Sequence, residues 1–237
     1  MIELRNVKKY YGTKALGLMK ESVTINTGEI VGILGENGSG KSTMLKVIMG
    51  LVELTDGEVL IDEKPPKQMY EEMAFITHEG SYFPNLTPQE YGEFLSQYFI
   101  RFSIERYNKL IKFFGLEPKE KIKTFSFGQK AKLEISAGFA KMAKYIIMDE
   151  PFLGEDIITR SDFIKLIAAS LKEEETILIS THHITEIENF IDRAIILRYG
   201  RIKADVNIDD LKSEGKTLQD LMKEIAEYRE DNYKRLL

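Results

Sequence analysis

Cysteine is absent from all 237 residues, which excludes disulfide staples and thiolate metal sites and fits a reducing compartment. Long apolar runs are absent as well: no stretch approaches the roughly 20 consecutive apolar residues that a membrane-spanning helix requires. The opening, Met1-Ile-Glu-Leu-Arg-Asn-Val-Lys8, carries charges where a signal peptide needs an apolar core. The expectation is a cytoplasmic chain that meets a membrane only through another polypeptide. A basic excess is also lacking. Lys and Arg total 33 against 38 Asp and Glu, a net charge of -5, which argues against a nucleic-acid partner held by a basic footprint. No internal repeat and no low-complexity tract interrupts the chain.

What remains is an ordinary globular balance, 43% hydrophobic and 30% charged, with ample material for a core. Alternating apolar residues predict half-buried strands over 2–7 and 21–25. Fuller apolar runs over 29–34, 145–148 and 176–180 read as buried parallel strands, and 58–61 and 73–77 as shorter ones. Residues 194–198 and 201–206, joined at Tyr199-Gly200, read as strand, turn and strand. Helices are expected over 41–51, within 84–125 where Thr87-Pro88 supplies a cap, over 157–171, and over 217–237. The order is that of an α/β core interrupted by a helical insert.

Between the 29–34 strand and the following helix stands Gly35-Glu36-Asn37-Gly38-Ser39-Gly40-Lys41-Ser42-Thr43, the spacing of a phosphate-binding loop. Its glycines let backbone N–H groups turn inward around phosphate oxygens, and the helix N-terminus adds partial positive charge. Lys41 is placed to reach β- and γ-phosphates, and Ser42 to ligate Mg²⁺. Tyr145-Ile-Ile-Met-Asp149-Glu150 is a buried strand ending in two carboxylates, at the edge where open α/β sheets hold ligands. Asp149 suits the Mg²⁺ shell, and Glu150 can polarise an attacking water.

With these motifs in this order, residues 1–208 resemble the ABC ATPase family. The resemblance implies a P-loop NTPase α/β fold with an antiparallel β element and a helical subdomain over about 78–140, followed by a C-terminal helical extension over 209–237. It implies Mg²⁺-dependent hydrolysis of ATP. Phe125-Ser126-Phe127-Gly128-Gln129 occupies the place of the family signature, which contacts the γ-phosphate held by an opposite cassette; Phe127 stands where the family has glycine. His182, ending Ser180-Thr-His182, matches the switch histidine, and Asp156 the dimer-contact loop. Tyr11 matches the aromatic on which adenine stacks. His78 falls where the family usually has a glutamine linking the metal and water to the membrane partner. Tyr82 and Phe83 are candidates for contacting that partner.

The resemblance therefore implies a second ABC ATPase subunit, identical or different, and separately encoded transmembrane permease subunits, with the cassette peripheral on the cytoplasmic face. Length and the altered signature resemble bacterial drug, peptide or bacitracin-type exporters. Two other readings stay open: a conformational switch with low turnover, and a non-transport ABC ATPase. Retention of Lys41, Asp149, Glu150 and His182 together opposes the first. The lack of a second cassette or a coiled-coil insertion opposes the second.

Overall fold

The computed structural model describes residues 1–12, 15–77, 80, 82–151, 164 and 175–226. Two sheets divide the strands. Strands β1 (Ile2–Tyr11), β2 (Ala15–Ile25) and β4 (Asp56–Ile61) form an antiparallel sheet in the order β2-β1-β4. The larger sheet has the order β5-β6-β7-β3-β8-β9, built from β3 (Ile30–Leu34), β5 (Met73–Thr77), β6 (Tyr145–Asp149), β7 (Thr176–Thr181), β8 (Arg193–Arg198) and β9 (Arg201–Asn207). Its strands run parallel except β9, which pairs antiparallel with β8.

The parallel strands are apolar throughout because both of their faces are covered. In β6, Tyr145 and Ile147 point into one core, shared with β1, β2 and helix α1 (Lys41–Ile48). Ile146 and Met148 point into another, beneath helix α4 (Phe127–Ala140). In β7, Leu178 faces the first core while Ile177 and Ile179 face the second. That period of two is what a strand buried between two layers must show.

A third core belongs to the helical insert. It gathers Tyr91 of helix α2 (Pro88–Tyr98), Tyr107 and Ile111 of helix α3 (Ile104–Phe113), and Leu133 of α4. Thr87 caps α2 in a capping box: its Oγ1 accepts from Glu90 N at 3.2 Å while Glu90 Oε2 accepts from Thr87 N at 2.7 Å. The Tyr107 hydroxyl donates to the Pro88 carbonyl at 2.9 Å and ties α3 to that capped end.

Several elements depart from their expected bounds. Strand β1 runs on to Tyr11 because register shifts between Leu4 and Tyr10 break its alternation without ending its pairing with β2. Helix α1 stops short of 51: Gly50 takes φ 65°, and Leu51 N donates to the Lys46 carbonyl in a Schellman closure. Helix α5 (Ile184–Ile187) stands between β7 and β8, and α6 (Ile208–Ser213) and α7 (Leu218–Ala226) follow β9. Of these α5 was not anticipated; α6, within the helical extension expected over 209–237, starts where the Asn207 side chain accepts from Asp209 N at 2.9 Å. Ile208, Leu211 and Leu218 are buried in the second core, so α6 and α7 pack on the sheet rather than standing off it. The helix expected over 157–171 lies outside the described residues.

One polar cluster joins the two sheets. Asp62, just past β4, accepts from Lys144 Nζ at 2.7 Å, the Tyr145 hydroxyl at 2.7 Å and the Met1 amino group at 2.6 Å. Burial works to raise the Asp62 pKa, but the hydrogen bonds from Lys144, the amino terminus and Tyr145 outweigh it and hold the carboxyl well below the usual range. A depressed carboxylate contributes stability above its unfolded pKa and loses that contribution on acidification. Asp62→Asn is expected to lower unfolding stability by about 1 kcal/mol at neutral pH. In urea titrations across pH, the gap between variant and parent should shrink below about pH 4.

Candidate functional site

The phosphate-binding loop runs from the end of β3 to the start of α1, and its shape depends on glycines. Gly35 takes φ 147°, and a Cβ there would lie 2.3 Å from the Leu197 carbonyl oxygen. Gly40 takes φ 111°, and a Cβ there would lie 2.6 Å from the Gly17 carbonyl oxygen. Both positions combine a left-handed backbone with walls of main chain, which only glycine satisfies. The Gly200 amide of the β8–β9 turn donates to the Ser39 carbonyl at 2.9 Å and fixes the loop from outside. Ser39 Oγ is buried with no hydrogen-bond partner among the described residues.

A cleft of about 380 Å³ opens over this loop, lined among others by Gly38, Gly40, Lys41, Ser42, Glu150 and His182. Lys41 is buried, and its ammonium donates to the Gly35 carbonyl at 2.9 Å and lies 3.4 Å from Glu150 Oε1. These oxygen partners offset the cost of taking the side chain out of water.

The two carboxylates at the end of β6 are held differently. Asp149 is 2% exposed and accepts from Ser42 Oγ at 3.0 Å and from Ser180 Oγ at 2.5 Å. Glu150 leaves the strand with φ 48°, a left-handed conformation costing a non-glycine residue about 1–3 kcal/mol. Its amide is fastened by Ser180 of β7, to the carbonyl at 3.1 Å and the hydroxyl at 3.0 Å. The kink turns the Glu150 side chain toward the cleft rather than along the strand. His182 Nδ1 meets both Glu150 carboxylate oxygens at 3.0 Å.

Lys41, Ser42, Asp149, Glu150 and His182 thus converge, although they lie on three separate segments. Ser180, which supports both carboxylates, carried no assigned role in the sequence. Its signal was a serine in an otherwise apolar strand, legible only once β6 and β7 are known to be neighbours. Tyr11 stands beside the loop, 40% exposed: a Cβ on Gly17 would touch both Tyr11 at 3.1 Å and Thr43 at 2.7 Å. His78 and Asp156 lie outside the described residues.

Ser126 to Gln129 form no part of this cleft's lining. Ser126 caps α4 in a second capping box: its hydroxyl accepts from Gln129 N at 3.2 Å, and Gln129 Oε1 accepts from Ser126 N at 2.8 Å. Phe127, the first residue of α4, leaves 48% of its surface in solvent.

A second concavity, of about 320 Å³ and mostly apolar, separates the sheet from the helical insert. Leu51 beyond α1, Tyr70, Phe75 of β5, Phe99 beyond α2, and Glu134 and Lys141 of and beyond α4 line it. The Lys141 ammonium donates to the Tyr70 carbonyl at 2.6 Å and lies 4.1 Å from the Phe99 ring centre. Burial pushes Lys141 down to about 8, against the pull of Glu71. Tyr82 is half-buried in the insert's core and Phe83 sits edge-on to Phe94; neither lines this groove.

The model of the ABC transporter family matches residues 18–153. The ABC transporter ATP-binding protein YtrB of Bacillus subtilis is 31% identical over 219 residues, covering 90% of this chain and 74% of the relative. The bacitracin transport ATP-binding protein BcrA of Enterococcus faecalis is 32% identical over 220 residues, covering 89% and 70%. A solved ATP-binding subunit of an ABC transporter superimposes with TM-score 0.85 at 27% identity, covering 95% of this chain and 99% of its own. The dimeric, post-hydrolysis structure of the ATP-binding cassette MJ0796 bound to ADP and Pi gives 0.78 at 27%, covering 88% and 99%. The chain belongs to the ABC transporter family, and its fold is that of the family's ATPase cassette.

The groove yields a direct check. In ¹³C NMR of the lysine Cε groups, the Lys141 resonance is expected to titrate with a midpoint near pH 8. Solvated lysines should titrate near 10.4, and the low midpoint should vanish in Lys141→Arg.

Proposed function

We propose that this chain hydrolyses ATP as one half of a two-cassette sandwich and thereby drives a separately encoded membrane transporter working as an exporter. The observation that carries the reading is the division of labour on its surface. The phosphate loop, both carboxylates and His182 meet in one cleft, while Ser126 to Gln129 face elsewhere. A signature that contributes nothing to its own cleft is free to complete another's. The dimeric MJ0796 structure supports that arrangement.

In this reading the loop amides and Lys41 hold the β- and γ-phosphates, and Tyr11 stacks on the base. Ser42 and Asp149 offer hard oxygen donors 3.0 Å apart, a donor set that suits Mg²⁺ supplemented by water and phosphate oxygens. When bound there, Mg²⁺ supplies charge neutralisation between the phosphates. Glu150, aimed into the cleft by its kinked backbone, accepts the proton of the attacking water. His182 orients that carboxylate and stands at the γ-phosphate end. Ser126 and Gly128 reach the γ-phosphate of the opposite cassette, and Asp156 contacts that cassette. His78 takes the glutamine's place beside water and metal. Phosphoryl transfer of this kind rests on positioning and charge stabilisation rather than covalent chemistry.

Among the described residues no helix is long and apolar enough to cross a membrane; in this reading a partner supplies the crossing. The apolar groove suits a short amphipathic segment from that partner, and the ammonium of Lys141 favours an acidic residue within it. The likeness to a bacitracin transport ATP-binding protein supports a drug- or peptide-like cargo.

The test uses purified chain with MgATP. Glu150→Gln is expected to lose at least about 100-fold in turnover while still binding ATP, and to shift from monomer to dimer by mass when ATP is added. Lys41→Ala should bind ATP weakly or not at all. An unaltered chain without turnover, or a Glu150→Gln variant as fast as its parent, would overturn the reading.

A further inference from the structure

His182 stands between the end of β7 and α5, and α5 is only four residues long with no side-chain cap. One turn of helix lies below the length at which helices sustain themselves, so its position is set by what packs on it. On the inner side, Ile187 and Ile191 press on β3, where a Cβ at Gly32 would meet their δ-carbons at 3.3 and 2.8 Å. On the outer side lies α7, whose Leu218, Leu221, Met222 and Ile225 share one apolar cluster with Ile184 and Ile187.

Both ends of α7 are tied to segments that border the cleft. Its first turn is capped by Thr217 and Asp220, each accepting the other's amide at 3.1 Å. The Leu218 amide is left over, and the Glu188 carboxylate, at the C-cap of α5, accepts it at 2.8 Å. A carboxylate at a helix N-terminus also meets favourable dipole charge. At the other end Arg198 donates to the carbonyls of Ile225 and Ala226, the latter at 3.3 Å. Arg198 is the last residue of β8, two before the Gly200 whose amide holds the Ser39 carbonyl of the phosphate loop.

We propose that Glu188 and Arg198 are positioning residues for ATP hydrolysis: pinned between them, α7 fixes α5 and so sets where His182 stands against Glu150. This rests on the role given to His182 under Proposed function. His182 is 36% exposed and reaches Glu150 through one ring nitrogen, so its placement comes chiefly from the backbone that α5 anchors. Neither Glu188 nor Arg198 lines the cleft. Their effect therefore falls on the chemical step and not on nucleotide binding.

The test is a double-mutant cycle with His182, read as kcat and KM for ATP, with thermal melting of every variant. Glu188→Ala is expected to lower kcat about tenfold with KM unchanged within about twofold. Glu188→Gln keeps an acceptor and should restore kcat to within about twofold of the parent. In a His182→Ala background, Glu188→Ala should cause no further loss. If Glu188→Ala melts below the assay temperature, Arg198→Lys, which keeps charge but loses the fork, takes its place in the cycle. An equal loss in both backgrounds, a raised KM or an unchanged kcat would overturn the proposal. Turnover in the parent that survives His182→Ala undiminished would instead sink the role of His182 itself, so the two failures are distinguishable.

Discussion

A single buried carboxylate holds three segments of this cassette together. Asp149 accepts one hydrogen bond from Ser42 at the start of α1 and another from Ser180 in β7, while it ends β6 itself. A side chain 2% exposed is tolerable because such donors replace the water it has lost. The phosphate loop, the strand of the second carboxylate and the strand leading to His182 are therefore set relative to one another by one side chain. The spacing of the cleft follows from it.

Glu150 shows what that anchorage permits. Its left-handed backbone is unfavourable by itself and persists because β7 fastens its amide twice. The kink separates the directions of adjacent side chains: Asp149 stays inside the sheet and Glu150 enters the cleft. Two neighbouring carboxylates thus have unlike surroundings, one enclosed by hydroxyls and one facing a lysine and a histidine. Differences of that kind are how adjacent acids come to have separate tasks.

Much of the fold was legible because its strands are short, apolar and placed where buried parallel strands must be. Strand β5 falls on the expected residues, and β6, β7 and β8 within a residue of them. What periodicity could not give was the continuation of β1 beyond Val7, where bulges scramble its alternation, and α5, a single turn with no side-chain cap. The site divides along the same line. The phosphate loop and the Asp149-Glu150 pair lie in contiguous stretches and could be read directly. Ser180 could not, because its importance depends on β6 and β7 being adjacent in space. The ties of Glu188 and Arg198 to α7 span 30 and 27 residues and leave no local pattern.

Helix α1 joins the two concavities described above. Its first residue, Lys41, lines the cleft, and Met49, directly after its last turn, lines the apolar groove. Eight residues of α-helix measure about 12 Å and do not bend appreciably over so few turns. Whatever sits at one end is thereby in mechanical contact with whatever sits at the other, through a strut rather than a chain of loose side chains. Thermodynamics makes such a linkage run both ways. An occupant of the groove that preferred the strut's position with nucleotide bound would tighten the nucleotide by the same factor, and load and fuel would then each report on the other.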